Sequence, residues 1–282
     1  MSMEGLRTVF FLGVMTGILL LIGGLVGGMD GVWVAFGFAV LMNGFSYFFS
    51  DKIVLFMYRA KPLDQKMEQG HRVKTIVKRV CDLMRIPMPI LYTIDNPSPN
   101  AFATGRNPKH AAVVFTHGIL SLLNDSELEG VVAHELSHVK NRDILIASIA
   151  ATIAGAIGTI AWWLQWGAIG NMGGRNSEGR NPIGLLVIAI SIPIITLLVR
   201  LAISRGREFL ADETAAKTLH SGKGLASALS KLEKGIHAVP FAHANEGTAH
   251  LFISNPFGRI GVLGLFSTHP DTQERIKRLE KY

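Results

Sequence analysis

The chain opens with two long runs that carry no charge, and no other feature constrains its fold as strongly. No Asp, Glu, Lys or Arg lies between Arg7 and Asp30, where VFFLGVMTGILLLIGGLVGG fills the gap. None lies between Asp30 and Asp51, where the sequence reads GVWVAFGFAVLMNGFSYFFS. The hydrocarbon core of a bilayer takes about 20 apolar residues of helix, so each run is long enough to cross it. Only a few residues around 28–31 separate the runs, which predicts a helical hairpin with a tight turn. The first run exceeds the roughly 7–15 apolar residues of a cleaved signal, and a second span follows at once, so it reads as a retained anchor.

Two further uncharged stretches lie downstream. One covers residues 144–174, with Trp162, Trp163 and Trp166 near its far end in the manner of an interfacial belt. The other covers 181–199 and contains Pro193, which a membrane helix tolerates better than a soluble one. They read as a second hairpin, the alternative being a pair of buried core helices. Composition agrees with lipid contact: 49% of residues are hydrophobic and only 17% charged, against about 25% charged in ordinary soluble domains. Of 28 Lys and Arg, 13 fall in 51–143, 12 in 200–282, Arg7 at the N-terminus, and only Arg175 and Arg180 in the loop between the later spans. The positive-inside rule therefore places both termini and both polar segments in the cytoplasm of a multi-pass cell-membrane protein. The net charge of +7 does not signal nucleic acid, because the aromatics lie mostly in the apolar runs and are not interleaved with basic residues. Cys81 is the only cysteine, which rules out an intrachain disulfide and a cysteine-type zinc site, and it reads as a buried small hydrophobe.

The expected organisation is thus a hairpin over 1–50, a polar segment over 51–143, a second hairpin over 144–203 and a second polar segment over 204–282. The two polar segments share one core. The fold class is mainly α with a small β-sheet, four membrane helices carrying a cytoplasmic domain built from both polar segments. A helix is predicted over 64–84 from the apolar spacing of Met67, Val73, Ile76, Val77, Val80, Leu83 and Met84, ended by Pro87 and Pro89. Strands are predicted over 90–94 and 111–116. Residues 126–140 form a helix with Ser126 or Asp125 as N-cap and Glu127 and Glu129 in its first turn.

That helix contains VVAHELSHVK. His134, Glu135 and His138 form H-E-x-x-H, whose spacing of four puts both imidazoles on one face, one turn apart, able to grip one Zn²⁺. Glu135 beside them can take a proton from a zinc-bound water without ligating the metal. A catalytic zinc wants three protein ligands and one open position. The later SRGREFLADETAA supplies Glu208, which would complete a His₂Glu set, and Asp212 four residues on, which could accept a hydrogen bond from a ligand histidine.

Together, VVAHELSHVKNRD, SRGREFLAD, AHLFISNP and THPDTQERIKRL resemble the HtpX family of membrane zinc proteases, relatives of the CAAX prenyl protease among the gluzincin peptidases. The resemblance covers essentially the whole chain. It implies one Zn²⁺ per chain on His134, His138 and Glu208, Glu135 as general base, and Asp212 orienting a ligand histidine. It further implies that Asn100, Ala101, Phe102 and Ala103 form an edge strand that pairs with extended substrate. It suggests stress-response quality control of misfolded or damaged membrane proteins, and self-cleavage. Arg207 and His269 are further candidate substrate contacts. For Arg207 the alternatives are a place behind the ligands or a lipid headgroup contact. His269-Pro270, followed by Arg275, reads either as a helix start with Pro270 in its first turn or as a source of oxyanion stabilisation. A prenyl-protein peptidase and a proteolytically inactive zinc-binding scaffold stay open as alternatives. A transporter is disfavoured because the spans carry no charged residue.

Overall fold

A computed structural model of the chain describes residues 3–141, 143–150, 205–238, 253 and 270–282. Among these the fold is mainly helical with a small mixed sheet. The expected third and fourth spans, apart from a helical start at 144–150, and His269 lie outside the described residues.

The first helix, α1 (Met3–Met57), is two helices joined at Gly27 (φ −136°, ψ 19°) and Gly28 (φ 57°, ψ −142°), so the turn comes slightly earlier than the 28–31 expected. The arms fold back on each other. A Cβ on Gly23 would lie 2.4 Å from the carbonyl oxygen of Gly31, a backbone approach that only glycine permits. Asn43 Nδ2 donates to Thr16 Oγ1 at 2.9 Å across the same interface. Trp33, Val34, Leu41, Phe45, Phe48 and Phe49 are exposed on the second arm. Among the described residues one helix, Gly27–Met57, is long and apolar enough to cross a membrane. It runs past Asp51 to Met57, beyond the boundary at residue 50, and Val54 packs with Ile94, Phe102 and Val114 of the sheet.

The sheet has the order β1-β2-β4-β3, with β1 Lys61–Pro62, β2 Ile90–Ile94, β3 Ala101–Asn107 and β4 His110–Thr116. β2 runs parallel to β4, and β3 pairs antiparallel with β4 in a register that sets Ala101 against Phe115 and Ala103 against Val113. β3 therefore forms an edge. It extends four residues past Ala103 through a bulge at Gly105, whose φ of +137° and 2.2 Å approach of a notional Cβ to the His110 carbonyl demand glycine.

Helix α2 (Glu68–Met84) begins four residues later than the spacing suggested and buries Val73, Ile76, Val77, Val80, Cys81 and Met84. Leu83 and Met67, counted on its apolar face from sequence, are exposed. Met67 is the N-cap, and Leu83 sits about 100° round the helix from Met84. Burial, then the charge of Asp82, pushes the Cys81 thiol up to about 11. Short α3 (His117–Leu122) leads to α4 (Asp125–Lys140). The cap of α4 is Asn124, one residue before the positions expected. Its side chain accepts from the Glu127 N–H while Glu127 Oε2 accepts from the Asn124 N–H, a reciprocal box that Asp125 and Ser126, already in the first turn, cannot make. Glu129 lies beyond the first turn and pairs with Arg79 of α2 at 3.2 Å.

Three more helices, α5 (Arg205–Leu219), α6 (Lys223–Ala238) and α7 (Thr272–Leu279), complete the described chain. Leu128, Val131, Val132, Ala133, Leu136 and Val139 of α4 are fully buried, so this helix is the centre of the core. Buried Glu127 also accepts from Ser227 Oγ (2.7 Å) and Lys231 Nζ (2.8 Å), fastening α6 to the start of α4. The helix that bears H-E-x-x-H is thereby held on several sides before any ion is considered.

Candidate metal centre

One turn of α4 separates His134 from His138, and their rings stand edge to face with centroids 4.8 Å apart. The two Nε2 atoms are 3.3 Å apart. Glu208, in the first turn of α5, brings Oε2 to 3.6 Å from His134 Nε2 and Oε1 to 3.5 Å from His138 Nε2. With one atom taken from each residue, the three lie within 4.8 Å of one another. Ligands about 2.0–2.2 Å from a tetrahedral ion lie about 3.3–3.6 Å from each other, and the N, N, O donor set is one that zinc accepts. The three residues fit such an ion, with Glu208 turning one oxygen toward each histidine.

The far sides of both imidazoles meet carboxylates. His134 Nδ1 is 2.9 Å from Asp212 Oδ1, and His138 Nδ1 is 3.4 Å from Asp143 Oδ2. A carboxylate there holds a proton on Nδ1 and leaves the Nε2 lone pair facing Glu208. Each carboxylate is backed by an arginine. Arg275 of α7 grips Asp212 through Nε (2.8 Å) and Nη2 (2.7 Å), and its Nη1 donates to the Ile253 carbonyl at 3.0 Å. Arg207 Nη1 stands 3.6 Å from Asp143 Oδ1. With both imidazoles neutral, as ligands must be, ionised Glu135, Glu208, Asp212 and Asp143 outnumber the two guanidinium groups by two negative charges, which matches one divalent cation.

Burial works against a charge on His134, yet hydrogen bonds to Asp212 and Glu208 raise it to about 9, a measure of how strongly the pocket draws positive charge. Burial would likewise raise Asp212, but the charge and fork of Arg275 hold it down to about 2. At Glu135 burial prevails, and its carboxyl is pushed up despite the nearby histidines. That carboxylate also accepts from the Ala103 N–H at 2.9 Å, so the edge strand β3 lies directly against it.

The structure brings together His134, Glu135, His138, Glu208 and Asp212, and adds Ala103 through its backbone. Asn100 anchors the head of β3, its N–H donating to Thr116 Oγ1 and its side chain accepting from the Ile253 N–H. Ala101 shares the phase of Ala103, whose N–H points off the free edge as that of Gly105 does toward Ser148. Phe102 lies in the same edge strand. Its side chain lies on the opposite face, against Tyr58 and Val54, because successive residues of a strand alternate faces. Arg207 faces Asp143 and so stands behind a ligand histidine, one of the places its sequence context left open. Asp143 went unassigned in the sequence, and Arg275 was weighed only as part of an oxyanion stabiliser. Asp143, five positions after His138, gave only the signal of an acid just past a helix end. Arg275 was visible in the His-Pro-x-x-x-x-Arg pattern, but its partner Asp212 was not.

Residues 67–282 match the profile of Peptidase family M48. The chain is 48% identical over 277 residues to the Protease HtpX homolog of Syntrophobacter fumaroxidans, covering 97% of both chains. It is 46% identical over 279 residues to the Protease HtpX homolog of Thermococcus sibiricus (98% and 95% covered). With the Protease HtpX homolog of Aquifex aeolicus it shares 48% over 268 residues (93% and 88% covered). A solved structure, the crystal structure of S. mikatae Ste24p, aligns with a TM-score of 0.49 and 20% identity over 98% of this chain; this chain spans 64% of that one.

Proposed function

The chain belongs to peptidase family M48 and is a metallopeptidase, and from that premise we propose that it is a membrane-embedded zinc endopeptidase whose site lies on α4, α5 and β3. One observation carries the assignment. His134, His138 and Glu208 converge, both imidazoles have a carboxylate at Nδ1, and a buried glutamate beside them is tied to an edge strand.

His134, His138 and Glu208 would hold the ion, which when bound supplies Lewis acidity that acidifies a water and polarises the peptide carbonyl. Asp212 and Asp143 keep the Nδ1 protons in place and so keep each Nε2 available. Glu135 takes the proton of the attacking water as its oxygen approaches the carbonyl carbon, and passes that proton to the departing amine nitrogen. Burial raises its basicity for the first transfer, and the Ala103 N–H fixes one of its oxygens and so aims the other. The outward phase of Ala101 and Ala103 lets a substrate backbone join β3 as a further strand, with small side chains that leave room for it.

In this reading the α1 hairpin anchors the protein, residues 144–203 supply a second hairpin, and both termini and the site are cytoplasmic. The substrates are polypeptides, membrane proteins that are misfolded or damaged in particular. The decisive experiment replaces Glu135 by Gln in protein purified with chelator and reloaded with zinc. Zinc binding stays near one per chain, and casein cleavage and autolysis disappear. Cleavage by Glu135→Gln at the parent rate, in a preparation shown free of other proteases, would remove Glu135 from the reaction.

A further inference from the structure

We propose that the tip of the β3–β4 hairpin, Arg106 to His110, rests on the anionic headgroups of a phospholipid bilayer and thereby holds Glu135 about 10 Å from the membrane surface. The inference builds on the membrane reading of α1 given above.

The uncharged run of the second arm ends at Asp51 and Lys52, which fixes the edge of the hydrocarbon there. β3 runs down this arm in the opposite direction. At its upper end the Phe102 ring lies 5.5 Å from that of Tyr58, and four residues on the Arg106 guanidinium lies 5.5 Å over the ring of Phe48. From Tyr58 back to Phe48 is ten helical residues, about 15 Å. From Phe102 to Arg106 is four strand residues, about 13 Å. The two lengths agree, so the strand descends beside the helix, and Arg106, beside Phe48, stands within about 5 Å, one helical turn, of the level of Asp51 and Lys52. A second element marks the same level. Ser148, in the helical stretch 144–150 that the sequence reads as the entry to the third span, meets Thr104 Oγ1 at 2.7 Å and the Gly105 N–H at 3.3 Å.

The tip is built for an anionic surface. No Asp or Glu occurs between Asp95 and Asp125, while Arg106, Lys109 and His110 sit together at the turn, the latter two exposed. On the helix beside it Asp51 is offset by the adjacent Lys52. The turn is also rigid: Asn107 Oδ1 accepts from the N–H groups of both Lys109 (3.0 Å) and His110 (3.1 Å), below the Gly105 bulge. Attraction to an anionic surface fades within a Debye length of about 8 Å, so only cations held at that level matter. The Ala103 N–H that holds Glu135 is three strand residues above Arg106, about 10 Å. A substrate strand added along β3 is therefore cut within a few residues of where it leaves the bilayer.

The test uses the full chain in nanodiscs of phosphatidylcholine, with or without phosphatidylglycerol, carrying an environment-sensitive thiol probe at Lys109→Cys. Cys81, buried and with its thiol pushed up to about 11, stays unlabelled. The probe should shift to the blue when phosphatidylglycerol is present and be quenched by headgroup spin-labelled lipid, and Arg106→Glu in the same protein should abolish the phosphatidylglycerol preference. A second protein carries the probe at exposed Phe38→Cys, inside the uncharged run of the second arm of α1, where a deep acyl-chain spin label should quench it. If the Phe38 probe is quenched but the Lys109 probe stays solvent-like, the tip does not meet the membrane and the proposal fails. If Arg106→Glu leaves the lipid preference intact, the electrostatic docking fails. If the Phe38 probe escapes the deep quencher, the membrane reading itself is wrong.

Discussion

Arg275 and Asp212 form a buried, doubly hydrogen-bonded pair with side chains 2% and 4% exposed, and substituting them singly and together separates charge burial from packing. Removing one partner of a buried ion pair costs about 3–5 kcal/mol, because the other is left charged in a poor dielectric. Here the lower end applies. Asp212 without Arg275 still has His134 Nδ1 at 2.9 Å, and Arg275 without the Asp212 charge still has Glu208 at 3.9 Å. Arg275→Met and Asp212→Asn should each lower stability by about 3 kcal/mol, a fall of about 6–12 °C in Tm for a chain of this size. Additive effects would total about 6 kcal/mol. The double variant should lose no more than either single, a coupling near the top of the usual 0.5–3 kcal/mol range. The assay is thermal unfolding of the chelated protein in detergent, on the Glu135→Gln background to suppress autolysis. Hydrogen exchange over 272–279 reports whether α7 stays docked. An additive double variant, or an Arg275→Met protein that melts with the parent, would refute the claim that each of these buried charges is held by the other.

Four other expectations follow from the geometry. His134 is raised to about 9, so below that pH the metal competes with a proton; zinc affinity, measured against a competing chelator, should rise about tenfold per pH unit from 7 and flatten near 9. Ala103→Pro removes the N–H that holds Glu135 on an outward-facing edge position, where proline is tolerated; a hydrogen bond to a charged group is worth about 1.5–3 kcal/mol, so kcat/KM should fall about 10- to 100-fold with zinc retained. Burial would raise Glu127, but Lys231, Ser227 and the Asn124 N–H hold it below its ordinary value; its stabilising effect is present above that value and lost as pH falls through the lower folded one, so Glu127→Gln should flatten the acid limb of a melting-versus-pH curve. Gly23→Leu forces a side chain into the Gly31 backbone, so a disulfide engineered between the two arms of α1 should form in the parent and fail in the variant.

Much of the fold could be read from local pattern. The α1 hairpin followed from charge-free length, β2 from a β-branched run between turn residues, and the core face of α2 from its 3.6-residue period. The errors were local too. The cap of α4 fell on Asn124 because reciprocal capping needs a residue three before Glu127. Three of the site residues were legible because H-E-x-x-H is complete within one turn of helix. Glu208 was legible as a carboxylate and selected by resemblance.

The sequence by itself determined that the chain opens with a charge-free helical hairpin and that two histidines share one helix face with a glutamate between them. Both are properties of residues a few positions apart, where helix geometry leaves no freedom. Only the tertiary structure decided what stands behind those histidines. Ala103 reaches Glu135 across 32 positions, Arg275 reaches Asp212 across 63, and Arg275 comes to His134 across 141. No local period encodes such distances. They are set by how α4 is buried between β3, α5 and α6, which is a matter of packing and of pairing every charge that packing buries.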